Sequence, residues 1–243
     1  MSSATRVLSH VVRSRELAVA VVLVALVVVT TLRNDNFLFS PDGWRNLLLN
    51  PSMLLILAVG QTAVIITRNV DLSVGSTLGL TAYAVGKLYT TYPDLPVVLV
   101  FLAGLVFGGL LGLVNGVLVT FGKVPALVIT LGTLYIYRGI FLSWAGSDRI
   151  TASDMPRDFL ALGTKQVLTI PVLTIIALVV LAAVGYYLWT ARGGREMYAI
   201  GSDPDAAVLY GLQTTKRVLS AFVLSGALAG LAGVCYAARY GSI

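Results

Sequence analysis

The chain has 243 residues, 57% of them hydrophobic and only 12% charged, with a mean hydropathy of +0.89 and a formal net charge of +6. Soluble domains carry roughly 25% charged residues, so this composition excludes an ordinary water-soluble core and makes lipid the solvent. The basic excess forms no patch interleaved with aromatics, which excludes the usual nucleic-acid footprint.

In chain order, apolar runs fall at residues 17–32, 47–67, 72–90, 96–121, 124–143, 167–190 and 218–238. They are continuous, whereas membrane barrel strands alternate over about ten residues. The expected architecture is therefore all-α: a polytopic helical membrane protein with about seven spans, in one transmembrane domain over residues 1–243. A basic tail with Arg6, Arg13 and Arg15 precedes the first run, and Thr31-Leu32-Arg33-Asn34-Asp35 offers no small-residue cleavage site, so that run is expected to stay as an anchor. With the tail of some 16 residues in the cytoplasm, nine Lys and Arg flank the spans inside and six outside, the sense of the positive-inside rule.

Residue counts remove several chemistries. The single histidine, His10, lies in the tail, which excludes a Ser-His-Asp triad and a His-based zinc site within the membrane. The single cysteine, Cys235, lies inside the last span and reads as a packing residue. Gly86-Lys87 and Gly122-Lys123 are followed by Leu88 and Val124 rather than Ser or Thr, so no Walker A loop is present. No cofactor is expected in this chain, and an ATP-driven process would need its ATPase on another chain.

Between the second and third runs stands Arg68-Asn69-Val70-Asp71-Leu72-Ser73-Val74-Gly75-Ser76. A charge in hydrocarbon costs a few kcal/mol, about 2.5–3.5 on insertion scales. Arg68 and Asp71 therefore read best as a local ion pair at the membrane edge. Gln61, Asn115 and Arg138 lie within runs and are candidates for a solute pathway, with interhelical hydrogen bonding as the competing role. Lys87 can snorkel from the end of its run. Gly104, Gly108, Gly112 and Gly116 recur every four residues, close to one helix face. Together with Gly226, Gly230 and Gly233, and with Gly75 and Gly79, they predict close helix packing.

Two hydrophilic segments carry further signals. Residues 144–166, on the outside, mix Asp148, Arg149, Asp154, Arg157 and Asp158, which suits either docking of a soluble protein or a plain solvated loop. Residues 191–217, inside, contain a short helix signal: Ser202 or Asp203 as cap, Pro204 at the first helical position, Asp205 in the first turn and Gly211 as the stop. Ala206, Leu209 and Tyr210 share a face. So short a helix is marginal alone, and that face is expected to dock on something, either lipid as an interfacial helix or a cytoplasmic partner.

These motifs together resemble the permeases of bacterial ABC-type sugar importers, the ribose-like branch. The segment from Arg68 to Ser76 carries the resemblance first. Asn115-Gly116-Val117-Leu118-Val119 with Lys123-Val124-Pro125-Ala126 follows, then Thr130-Leu131-Gly132-Thr133-Leu134 with Tyr137-Arg138-Gly139. Gly194-Arg195-Glu196-Met197-Tyr198-Ala199-Ile200-Gly201, then Ala206-Ala207 and Gly211, is similar to the family's coupling loop, and the glycine-rich last span is similar too. The resemblance runs from about Asn36 onward. It implies a bacterial inner-membrane permease subunit, not itself an enzyme. Its partners would be cytoplasmic ABC ATPase subunits holding ATP and Mg, a second permease subunit, and an extracytoplasmic sugar-binding protein. Gly201, Asp203, Ala206, Ala207, Leu209 and Gly211 would lie at the ATPase contact, and Arg68, Asp71, Ser73 and Gly75 mark the family. Arg68-Asn69 stands where many ribose-type members carry two glycines, which leans toward rhamnose or autoinducer-2-like cargo. The family usually has about ten spans and extends past the position of Ile243, so a shortened, inactive permease is one alternative expectation. An ion-coupled transporter, with Asp71 as its intramembrane acid, is the other.

Overall fold

The computed structural model describes residues 15–34, 37 and 40–243. Arg6, His10, Arg13, Asp35 and Asn36, invoked above, lie outside the described residues. Two compact units are present, residues 1–47 and 48–243. The first contains α1, Arg15–Arg33, whose Val22, Leu23, Val24 and Leu26 are exposed, as a helix bathed in lipid presents them. Helix α2, Pro41–Ile66, starts in the first unit and continues into the second.

The second unit continues with α3 (Val74–Thr91), α4 (Val97–Gly122) and α5 (Ala126–Ala145). A 3-10 turn, Ala152–Asp154, and the short α6 (Arg157–Ala161) lead to a two-stranded hairpin, β1 (Gln166–Val167) and β2 (Ile170–Pro171). Then come α7 (Val172–Thr190), α8 (Arg192–Ser202), α9 (Pro204–Leu209) and α10 (Thr214–Tyr240).

Among the described residues, five helical segments are long and apolar enough to cross a membrane: Arg45–Ile66, Val97–Gly122, Ala126–Ala145, Val172–Thr190 and Thr214–Tyr240. By that measure the other two of the seven expected spans are not confirmed. The apolar stretch of α1, Val19–Arg33, is shorter than a full span, and α3, with Ser76, Thr77, Thr81 and Lys87, is too polar. Its Thr77 and Thr81 are buried against protein rather than lipid. The sixth run also begins later than its apolar residues suggest. Residues 166–171 pair as a hairpin in register Gln166 with Pro171 and Val167 with Ile170, around Leu168 and Thr169 at φ 49° and 71°. Both turn residues are left-handed, as a tight hairpin turn requires, and Pro171 then caps α7.

Helix α10 is the axis of the unit, buried from Ala221 to Ala238 save Val223, Leu224 and Tyr236. On one side Phe222, Leu228, Leu231 and Cys235 meet Leu49, Ile56 and Ala63 of α2 and Leu173, Ala177 and Leu188 of α7 in one apolar cluster. On the other, Val234 and Ala237 join Tyr83, Tyr89, Val100, Ile150, Met155 and Phe159. Residues 144–166 are thus no plain solvated loop: Ile150, Met155 and Phe159 anchor them, Tyr89 and Phe159 meet at 4.9 Å between ring centroids, and Lys87 reaches Asp148 at 3.6 Å. Pro51 interrupts α2 by removing a backbone donor. Beside it the Ser52 hydroxyl bonds Leu48 O at 2.5 Å and lies 2.9 Å from Thr174 Oγ1, stitching α2 to α7.

Helices α4 and α10 make the most extensive helix contact. Gly104, Gly108, Gly112 and Gly116 all face α10. A β-carbon on Gly108 would overlap Gly226 O, one on Gly112 would overlap Phe222 O, and one on Gly230 would overlap Gly104 O. Lipid tails are as apolar as leucine, so close backbone approach rather than hydrophobic burial drives this pairing.

Candidate functional site

The segment after α2 is built by a helix-end motif. Asn69 N donates to Val64 O and Arg68 N to Ile65 O, with Arg68 left-handed at φ 59°. This is a Schellman ending with arginine where glycine is usual. A β-carbon in that conformation costs about 1–2 kcal/mol. The guanidinium offsets it: Nε donates to Gly201 O at 2.5 Å and Nη2 to Ser202 O at 2.7 Å, each such exposed charged hydrogen bond contributing about 1 kcal/mol. Gly201 lies so close to Ile66 O that a β-carbon there would overlap it.

The expected Arg68–Asp71 ion pair is absent among the described residues. Arg68 points to the end of α8, while Asp71 is 3% exposed and accepts from Ser73 N at 2.9 Å and Ser73 Oγ at 2.7 Å. Opposite charges three positions apart suggest a pair, but the carboxylate is taken up by Ser73 of its own turn. Neighbouring helices complete the network. Gln61 Nε2 donates to Asp71 O at 2.5 Å, Asn115 Nδ2 to Ser73 Oγ at 2.8 Å and Thr130 Oγ1 to Val70 O at 3.2 Å. Gln61 and Asn115, candidates for a pathway, each donate one hydrogen bond to this turn.

Arg138 is placed differently. It is exposed and lines a cleft of about 370 Å³ with Leu72, Gly75, Ser76, Gly79, Leu134 and Phe141. Gly79 and Phe141 also border a second cleft of about 630 Å³ that reaches Arg149, Ile150 and Thr151. Both volumes fall in the roughly 300–1,000 Å³ range of small-molecule sites. The two clefts share those residues and so run on from the 68–73 turn to the 144–166 segment. The expectation that Gly75 and Gly79 begin a packed helix face is corrected here: a β-carbon at either would meet nothing within 4 Å. Their side of α3 borders the cleft, whereas the α4 glycines border a backbone. Tyr137, on the other side of α5, is turned inward and donates to Leu111 O at 2.9 Å.

In the 191–217 segment, Asp203 is the cap of α9, its Oδ1 accepting from Asp205 N and Ala206 N at 3.1 and 3.0 Å, with Pro204 in the first turn. Gly211, at φ 75°, ends it. Ala207 is buried and Ala206 half-buried, while Val208, Leu209 and Tyr210 are exposed, Leu209 at 89%. The segment also contains a full helix, α8, that composition did not reveal. Gly194 of α8 seats against the backbone of Leu188 in α7. Glu196 clamps it to α10, accepting from Arg192 Nε at 2.7 Å and Arg217 Nε at 2.5 Å. Glu196 stands four residues after Arg192, a helical pairing signal visible in sequence; Arg217, 21 positions on, gave none.

Hydrogen bonds from Arg192 and Arg217 hold the Glu196 carboxyl below its ordinary value of 4.5. A carboxyl whose native pKa is depressed stabilises the fold above its ordinary range, and that contribution is lost as pH falls through the native value. Thermal stability of the purified protein should therefore fall as pH drops below the ordinary carboxylate range, and the Glu196→Gln variant should show a smaller slope there. Equal slopes for the two proteins would remove Glu196 as the source.

Among the described residues, no group of three or more His, Cys, Asp or Glu could hold a metal ion. A family model described as "Branched-chain amino acid transport system / permease component" matches residues 44–243. The autoinducer 2 import system permease protein LsrC of Escherichia coli (strain K12 / DH10B) is 38% identical over 191 residues, 79% of this chain and 55% of that protein. LsrC of Salmonella typhimurium is 39% identical over 191 residues, 79% of this chain and 54% of that protein. The ribose import permease protein RbsC of Haemophilus influenzae is 37% identical over 224 residues, 91% of this chain and 68% of that protein. The chain thus spans about half the length (55% and 54%) of the autoinducer-2 permeases it matches. No solved structure matches it.

Proposed function

The chain belongs to the family of branched-chain amino acid transport system permease components, whose members here are sugar-type import permeases, and from that premise we propose that it is the membrane subunit of an ABC importer for a monosaccharide or sugar-like solute. ATP hydrolysis in a separate cytoplasmic subunit drives it, and an extracytoplasmic binding protein delivers the solute to a permease pair in the bacterial inner membrane, with this chain's N-terminus in the cytoplasm. Relatives of both autoinducer-2 and ribose type are similar to it; Arg68-Asn69 favours autoinducer-2-like or rhamnose cargo.

The observation that carries this reading is α9. A six-residue helix and its end hold out Leu209 and Tyr210 with almost no cover and Val208 more than half exposed, while its base is fixed through α8 to α2, α7 and α10. An exposed apolar patch on a rigid base is what a protein interface needs. Leu209→Asp with Tyr210→Asp should leave the permease folded, because both side chains are exposed, and should abolish co-purification with its ATPase. Unchanged co-purification would sink the docking assignment.

The cleft between α3 and α5 supports a solute route. Arg138 and Ser76 can donate to solute hydroxyls, and Phe141 offers an apolar face. Gly79→Leu is the informative substitution. Open space surrounds the position, and leucine exceeds glycine in helix propensity by about 0.8 kcal/mol, so the fold should hold or strengthen. The isobutyl group, however, enters the cleft. Uptake of labelled sugar in cells carrying the whole transporter should fall at least about tenfold with membrane abundance unchanged. Full uptake by Gly79→Leu would place the route elsewhere.

A further inference from the structure

We propose that Arg68 is a positioning residue for energy coupling: a two-pronged latch that joins the α8–α9 junction to the end of α2, so that displacement of α9 is carried into the turn bordering the solute cleft. The proposal rests on the permease reading above and goes beyond it, because it names the part that transmits the motion.

The last carbonyls of any helix lack intrahelical partners. At the end of α8 those of Gly201 and Ser202 are taken by one guanidinium, whose fork of donors suits two adjacent acceptors and whose charge suits the negative helix end. The junction leaves no slack on the docking side. The residue after Ser202 is Asp203, which closes α8 with its N–H on Ala199 O and opens α9 with its carboxylate. Nor is there slack on the membrane side. Gly201 presses directly on Ile66 O, so the ends of α2 and α8 meet without a side chain between them.

From Arg68 the chain enters the Val70–Ser73 network, held by Gln61, Asn115 and Thr130 of three different helices. Three residues past Asp71 begins α3, whose Gly75, Ser76 and Gly79 border the cleft beside Arg138. The route from α9 to the cleft is therefore a run of direct bonds: Asp203 to α9, Arg68 to Gly201 and Ser202, and the turn to α3. Within that run Arg68 and Asp203 are exposed, while Asp71 and Asn115 are buried. A coupling element has to be strong enough to pull and able to let go, and an exposed charged fork meets both needs.

Arg68→Gly separates latching from folding. Glycine relaxes the left-handed backbone at φ 59° while removing both donors. The full chain, assembled with its ATPase and binding protein in proteoliposomes, should then keep its yield and its ATPase association. ATP hydrolysed per molecule of ribose, rhamnose or autoinducer-2 taken up should rise at least about tenfold, with Arg68→Lys in between because it supplies a single prong. A merely structural role would change yield and leave that ratio alone. In the isolated permease, amide exchange over residues 203–212 should quicken about tenfold in Arg68→Gly. A ratio within about twofold of wild type in a working transporter overturns the proposal. If the wild-type assembly shows neither ATPase association nor uptake, the permease reading fails instead, and unchanged amide exchange then still overturns the latch.

Discussion

Gly108→Val and Gly226→Val are each expected to abolish the folded permease, the largest effect of any single substitution described for this chain. Overpacking a core by a few methylenes ordinarily costs about 1–3 kcal/mol, because flexible side chains yield. Here the obstacles are backbone: a β-carbon on Gly108 would overlap Gly226 O and lie 2.6 Å from Gly230 Cα, and one on Gly226 would overlap Gly108 O and lie 2.7 Å from Gly112 Cα. Backbone of two packed helices can make room only by separating them, and separation dissolves the contact on which α10 depends. Size-exclusion profiles and thermal unfolding of detergent-solubilised protein read the outcome. Gly132→Val is the control, since nothing lies within 4 Å of a β-carbon there. Near-normal unfolding of Gly108→Val would mean that the α4–α10 seam is looser than the structure has it.

The second large effect concerns Asp71. Asp71→Ala should lower stability by several kcal/mol, because it leaves the Ser73 N–H and the Ser73 hydroxyl proton without an acceptor in a buried site, at about 1–3 kcal/mol per unsatisfied group, and loosens the turn that Gln61 and Asn115 hold. Asp71→Asn should be mild, because its side-chain oxygen can accept the same two hydrogen bonds. The pair also discriminates between transport mechanisms. A transporter driven by an ion gradient through this carboxylate would lose uptake in Asp71→Asn despite a stable fold. The structural role predicts uptake within about threefold of wild type for Asp71→Asn and none for Asp71→Ala, with abundance following the same order.

Both predictions turn on features that the sequence announces unequally. The four-residue glycine period of α4 is legible, and so is the cap-and-stop pattern of α9, because helix geometry converts spacing into a face and Asp203-Pro204 into a start. Helix α8 was hidden within a segment that reads as hydrophilic loop, since its stability comes from Glu196 meeting Arg217 of α10 and from Gly194 seated on α7. Arg68 and Asp71 mislead because opposite charges three positions apart look like partners. Each found another partner: Arg68 the carbonyls 133 and 134 positions away, Asp71 its own Ser73.

Composition and motif spacing carry the class of molecule: apolar helices, a permease family and a short capped helix after Asp203. Direction is a matter of tertiary contact. In water, a helix shows its inner face by an apolar stripe against a polar one. In lipid the outer face is as apolar as the core, so Gly75 and Gly79 cannot be told by composition from Gly104 and Gly108. Rotation of each helix about its axis, set by contacts between residues far apart in the chain, turned one pair toward an open cleft beside Arg138 and the other against the backbone of α10.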